Sequence, residues 1–125
     1  MSSQAPPTIN PLEGHLNNFR TLQKEIAKLQ SSSSEQGTRI LENEMVLKEL
    51  ELLEDEAQVF KLIGPVLVKQ ELVEVKNNVS KRIEFIKNDI SRIDGNVKTK
   101  EKQQDEVRKA IGQLQKQAAG AGAAS

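Results

Sequence analysis

His15 is the only imidazole in the chain, and there is no cysteine to support it. One imidazole without thiolates or clustered carboxylates does not make a metal centre, and His15 falls where a helix-seam residue would sit. The Asp and Glu side chains are spread along the chain and matched by Lys and Arg at helical spacing. That is the pattern of solvated helix faces, not of a paired acid and base. No Gly-rich phosphate loop followed by Lys-Ser/Thr occurs, and no strand-turn-helix frames a nucleophile. These residues argue against an enzyme and imply no cofactor and no metal.

The chemistry that the residues do support is apolar contact, and it concentrates in two places. The first is Val59-Phe60-Lys61-Leu62-Ile63-Gly64-Pro65-Val66-Leu67-Val68, two short β-branched and apolar runs around a Gly-Pro pair. It reads as strand, tight turn, strand. A lone two-stranded hairpin is marginal in water, and each of its unpaired edges is a template for another strand. The segment therefore asks for partners. The second place is the pair of chain ends, where Leu12, Leu16, Phe19 and Leu22 on one side face Val107, Ile111 and Leu114 on the other. Two helices cannot fully bury such side chains, least of all where the ends fray. Mobile apolar ends suit transient binding of unfolded chain.

Long helices must position both places. In the first half a heptad seam runs Leu12, His15, Phe19, Leu22, Ile26, Leu29, then Ser33, Gln36, Ile40, Asn43, Leu47, Leu50. In the second half it runs Leu72, Lys76, Val79, Ile83, Ile86, Ile90, Ile93, then Val97, Lys100, Gln104, Val107, Ile111, Leu114, Ala118. Spacings alternate three and four, as in a coiled coil. Folding the chain back at the turn pairs positions whose numbers sum to 129 or 130, so Leu50 meets Val79, Leu47 meets Ile83 and Leu22 meets Val107. The same rule sets Glu54 against Lys76 as an ion pair. A parallel homodimeric coiled coil would not require the two seams to agree across the turn, which favours the antiparallel hairpin.

The expected fold is all-α dominated: a long antiparallel two-helix coiled coil joined by a single β-hairpin. Its parts are a disordered N-terminal segment at 1–10, a helix at 11–55, the hairpin at 58–68, a helix at 69–118 and a flexible Gly/Ala tail at 119–125. Asn10 and Pro11 supply the first helix start, with Glu13 completing a capping-box-like arrangement. Ser31-Ser32-Ser33-Ser34 and Gly37 lie opposite Asp94-Gly95-Asn96 under the pairing rule, which suggests a flexible joint made of poor helix formers.

Composition agrees. Hydrophobic residues make up 36% of the chain, charged residues 29%, and the aromatics are three Phe, too few for an ordinary globular core. The 18 basic and 18 acidic residues are interspersed, so no basic face for nucleic acid stands out. No apolar run approaches the roughly 20 residues of a membrane span, and no signal segment follows Met1. The absence of cysteine fits a cytoplasmic setting.

At the hairpin the sequence resembles a known family. Glu49-Leu50-Glu51-Leu52-Leu53, the string from Val59 to Gln70, and Lys81-Arg82-Ile83-Glu84-Phe85-Ile86 are similar to the β-type subunits of prefoldin. The Gly-Pro-Val-Leu-Val-Lys-Gln string is the specific part, because heptads alone match many coiled coils. The resemblance implies an ATP-independent co-chaperone subunit in a hexamer of α-type and β-type prefoldin subunits. In that family the hairpins complete a β-barrel body. The coiled-coil tips hold unfolded client proteins, notably actin and tubulin, and deliver them to a group II chaperonin. Residues 59–68 would then carry assembly and the chain ends client contact. The alternative is a structural or tethering coiled coil that binds one folded partner, but a pure tether needs no strands between its arms. A regulatory enzyme subunit is a third reading for which nothing in the sequence speaks.

Overall fold

Asn10 and Pro11 start the first helix as their types suggest. Oδ1 of Asn10 accepts the Leu12 N–H at 3.0 Å, and the Asn10 carbonyl accepts from Gly14 at 2.9 Å. The side chain thus satisfies an amide that has no partner within the helix. The computed structural model describes residues 10–123. In order these form α1 (Pro11–Glu51), β1 (Val59–Ile63), β2 (Val66–Gln70) and α2 (Leu72–Ala123). The expectation of disorder at 1–10 concerns residues that, Asn10 apart, lie outside the described ones.

The strands form a two-stranded antiparallel sheet joined through Gly64-Pro65. Gly64 has φ 59°, the positive angle that a two-residue hairpin turn needs at its first central position. Val59 pairs with Gln70, Phe60 with Lys69, Lys61 with Val68, Leu62 with Leu67 and Ile63 with Val66.

The helices and hairpin divide into two compact units, Ser31–Asp94 and Met1–Gln30 with Gly95–Ser125. In the first, the hairpin unit, a core of Leu50, Leu72, Val79 and Ile83 gathers Leu47, Val59 and Val75 around it. Leu50 and Val79 are thus packed in one cluster, as are Leu47 and Ile83. In the second, the terminal unit, Leu22, Ile26, Val97, Gln104 and Val107 are buried. In each unit the two helices run antiparallel. Gln36 bonds Asp89 and Ser33 bonds Asp94 in one; Glu25 pairs with Lys100 and Gln23 with Gln104 in the other.

Each residue of the expected α1 seam is buried or half-buried, and so is each of α2 except Ala118. The strongest burial is at aliphatic seam positions such as Ile86 and Ile93. Side chains on the outer faces stay exposed, which is how a two-helix hairpin of this composition must divide its surface.

Four expectations are corrected. The first helix stops at Glu51, not 55. The Leu52 N–H is shared between the carbonyls of Lys48 and Glu49 at 3.3 and 3.2 Å, and Leu53 N–H turns to Leu50 at 3.2 Å. That tightened last turn precedes Glu54-Asp55-Glu56, acids that oppose the negative end of a helix. With Glu54 outside the helix, its ion pair with Lys76 is not among those formed by the described residues. The second helix begins at Leu72, not 69, because Lys69 and Gln70 belong to the strand ladder. The Glu71 carbonyl then takes the first helical bond, from Val75 at 3.0 Å. At the other end α2 continues to Ala123, through Gly120 and Gly122, and does not stop at 118; the last two residues of the tail expected at 119–125 lie outside the described ones. Alanine, the best helix former, offsets glycines that each cost about 1 kcal/mol.

Candidate functional site

The hairpin leaves its apolar side chains in water. Directly opposed residues on paired strands share a face, so Phe60, Leu62, Leu67 and Lys69 form one face. Val59, Lys61, Ile63, Val66, Val68 and Gln70 form the other. Only Val59 and Gln70 are half-buried, against the helices; Phe60, Leu62, Ile63, Val66, Leu67 and Val68 are all exposed. Both edges of the sheet are also unpaired among the described residues. The sequence-predicted residues 59–68 are thus brought together in one element that has apolar side chains on both faces.

Where the hairpin meets the helices there is a groove of about 320 Å³. The buried Leu50 and Val79 form its floor, and Val46 and Val75 from the helices and Val59 and Phe60 from the hairpin line it as well. Lys61, Gln70, Asn78 and Arg82 supply the polar groups along it. Val46, Val75 and Asn78 were not singled out from the sequence, and Arg82 only as part of the string that carries the family resemblance. Further exposed apolar side chains, Leu41, Met45 and Phe85, lie on the same unit. Leu41 and Met45 are four residues apart on the side of α1 away from its seam. An off-seam pair at that spacing is a signal that a search confined to the heptads passes over.

The terminal unit looks different. Leu22 is 6% exposed and Val107 9%, while Leu12, Leu16, Phe19, Ile111 and Leu114 are half-buried. The guanidinium of Arg108 covers the Phe19 ring, 5.5 Å from its centroid, and donates to Asp105 at 3.0 Å. Every large apolar side chain left well exposed among the described residues lies between Leu41 and Phe85. The expected client-contact residues are therefore all buried or half-buried.

His15 lines a shallow groove with Asn18, Leu22, Gln103, Glu106 and Val107. Among the described residues no group of three or more His, Cys, Asp or Glu side chains is arranged to hold a metal ion, and no helix is long and apolar enough to cross a membrane.

Polar seam positions are tied across the helices. Lys100 Nζ donates to Glu25 Oε2 at 2.6 Å, the Gln104 amide donates to Gln23, and Ser33 Oγ donates to Asp94 at 3.2 Å. Asp89 accepts from Arg92 and Gln36, and these two bonds, Arg92 first, hold its carboxyl below the ordinary carboxylate range.

Residues 13–118 match the family described as prefoldin subunit. The chain is 45% identical over 104 residues to prefoldin subunit 6 of Arabidopsis thaliana, covering 83% of this chain and 81% of that relative. It is 39% identical over 117 residues to prefoldin subunit 6 of Homo sapiens, covering 90% and 91%. Among solved structures, the prefoldin beta subunit from Thermococcus strain KS-1 has the same fold. Its TM-score is 0.76 at 18% identity, over 90% of this chain and 96% of that one.

Proposed function

The chain belongs to the prefoldin family, and from that membership we propose its working role: one β-type subunit of a hetero-hexamer that captures unfolded proteins. Prefoldin subunits are non-enzymatic components of a chaperone, so the work is done by binding surfaces. The hairpin of each subunit pairs edge to edge with its neighbours and closes a barrel, which removes the free edges and encloses one apolar face in its interior. The observation that carries this reading is the exposure of Phe60, Leu62, Ile63, Val66, Leu67 and Val68 on ten residues of sheet. Such a concentration of apolar surface in water marks an interface.

Client contact falls to the helix ends, Leu12, Leu16, Phe19 and Leu22 with Val107, Ile111 and Leu114. Because these are half-buried or buried, the ends bind by opening: fraying of the last turns exposes them in turn to an unfolded chain. Single contacts are weak, and several arms acting on one client give avidity without a tight site. The complex works in the cytosol without nucleotide. It hands clients of the actin and tubulin kind to a group II chaperonin, release following from the weakness of each contact.

The test is suppression of aggregation of a chemically unfolded protein by the assembled complex. Removing residues 1–25 and 106–125 from this subunit lowers suppression while the hexamer still forms. Undiminished suppression would overturn the client-contact assignment, and a Leu62→Lys chain that still enters the hexamer would overturn the assembly assignment.

A further inference from the structure

The groove beside the hairpin has a charge pattern that its floor does not explain. Leu50, Val79, Val46 and Val75 make it apolar, yet the two charged groups that line it, Lys61 and Arg82, are both cations and no acid lines it. Neither Lys61 nor Arg82 is in an ion pair among the described residues. A guanidinium beside an apolar floor is suited to a carboxylate, which it can take through two parallel bonds. The groove therefore fits an apolar side chain with an acid next to it.

We propose that this groove is a docking site for an apolar, acid-bearing segment of the neighbouring subunit in the complex. The inference rests on the hairpin-assembly reading above. Two observations favour a subunit as the occupant. Val59, Phe60, Lys61 and Gln70 line the groove and also belong to the strands assigned to assembly, so the groove continues that surface onto the helices. This chain also carries the complementary chemistry: Leu52-Leu53-Glu54-Asp55-Glu56 follows α1, with Leu52 82% exposed. A subunit built alike offers the same segment to the next.

The experiment uses the full chain in the assembled complex, with a photoreactive benzoylphenylalanine in place of Asn78 on the groove rim or, separately, of Leu62 on the hairpin. The expected product at Asn78 is a cross-link to another subunit, at a segment where Leu, Ile or Val adjoins Asp or Glu. Cross-links from Leu62 to another subunit with none from Asn78 would overturn the groove and leave the assembly reading standing. No cross-link to another subunit from either position would sink both. Cross-links from Asn78 only to client, or to a segment without an acid, also overturn the proposal. Arg82→Glu, at an exposed position on the groove, lowers incorporation of the chain about tenfold, and Arg82→Lys restores part of it. Incorporation of Arg82→Glu equal to the unaltered chain overturns the role of the cation.

Discussion

Nε2 of Gln36 on α1 donates to Oδ2 of Asp89 on α2 at 2.6 Å, while the other oxygen of the same carboxylate takes the Arg92 guanidinium at 2.6 Å. One ionised group thus joins the two helices of the hairpin unit at a point where Gln36 occupies a seam position that an aliphatic side chain would otherwise fill. A polar residue at such a position specifies register more than it adds stability.

Acid should loosen that tie. Arg92, then Gln36, lower the Asp89 pKa in the folded chain. A depressed carboxyl stabilises the fold above its unfolded pKa of about 3.9 and loses that contribution as pH falls through the folded value. Thermal denaturation of the complex from about pH 6 to about pH 3.5 checks it. The Tm advantage over Asp89→Asn holds at the upper end and shrinks toward the lower. An advantage that stays constant across the range contradicts the assignment.

Ile83→Ala opens a cavity beside Leu50, Leu72 and Val79. Aliphatic-to-alanine changes in a core cost about 2–5 kcal/mol, and a two-helix core that collapses easily puts this one near the low end. Lys81→Ala, on an exposed position of the same helix, should stay within about 0.5 kcal/mol. Denaturant titration of both variants separates them; equal effects would mean that the seam is not where the stability lies.

Gly64→Ala tests the turn. An added Cβ meets no atom within 4 Å, so any cost is conformational. At φ 59° an L-residue loses about 1–2 kcal/mol relative to glycine. In a competition for places in the complex, the variant should be outcompeted by at least about fivefold. Even competition would place the turn strain below what the backbone angle requires.

What was legible in the sequence follows from periodicity. Residues such as Leu22, Ile26, Val79 and Ile93 could be placed because three-four spacing has one structural meaning, and two seams that agree across a turn have one arrangement. Element ends were less legible. All five strand pairs, Val59 with Gln70 through Ile63 with Val66, sum to 129, the number that also pairs Leu50 with Val79. Applied to the strands, that midpoint carries the second one to Gln70, past the helix start expected at 69. The stop at Glu51 depends on a tightened last turn that Leu52 and Leu53, both good helix formers, do not announce. The groove was out of reach for another reason. Val46, Asn78 and Arg82 are ordinary helix-flank residues, and only the lie of the hairpin against them makes a site.

α1 runs unbroken through Ser31-Ser32-Ser33-Ser34 and Gly37, and α2 through Gly95 and Asn96. Helical continuity says nothing about the rate at which these turns open. Serine costs roughly half a kcal/mol against alanine in a helix and glycine about 1, so both stretches have weak local propensity. In each, a threonine bonds back to the preceding turn, Thr38 to the Ser34 carbonyl at 3.3 Å and Thr99 to the Gly95 carbonyl at 3.1 Å. Such bonds compete with the helix ladder. Hydrogen exchange of the assembled complex should therefore be faster at 31–37 and 94–96 than at the flanking turns. Ser31, Ser32 and Ser34 together changed to Ala, leaving Ser33 on Asp94, should slow exchange in α1. Uniform protection along both helices, unchanged by the alanines, would mean that cross-helix packing overrides propensity there and that the arm has no joint.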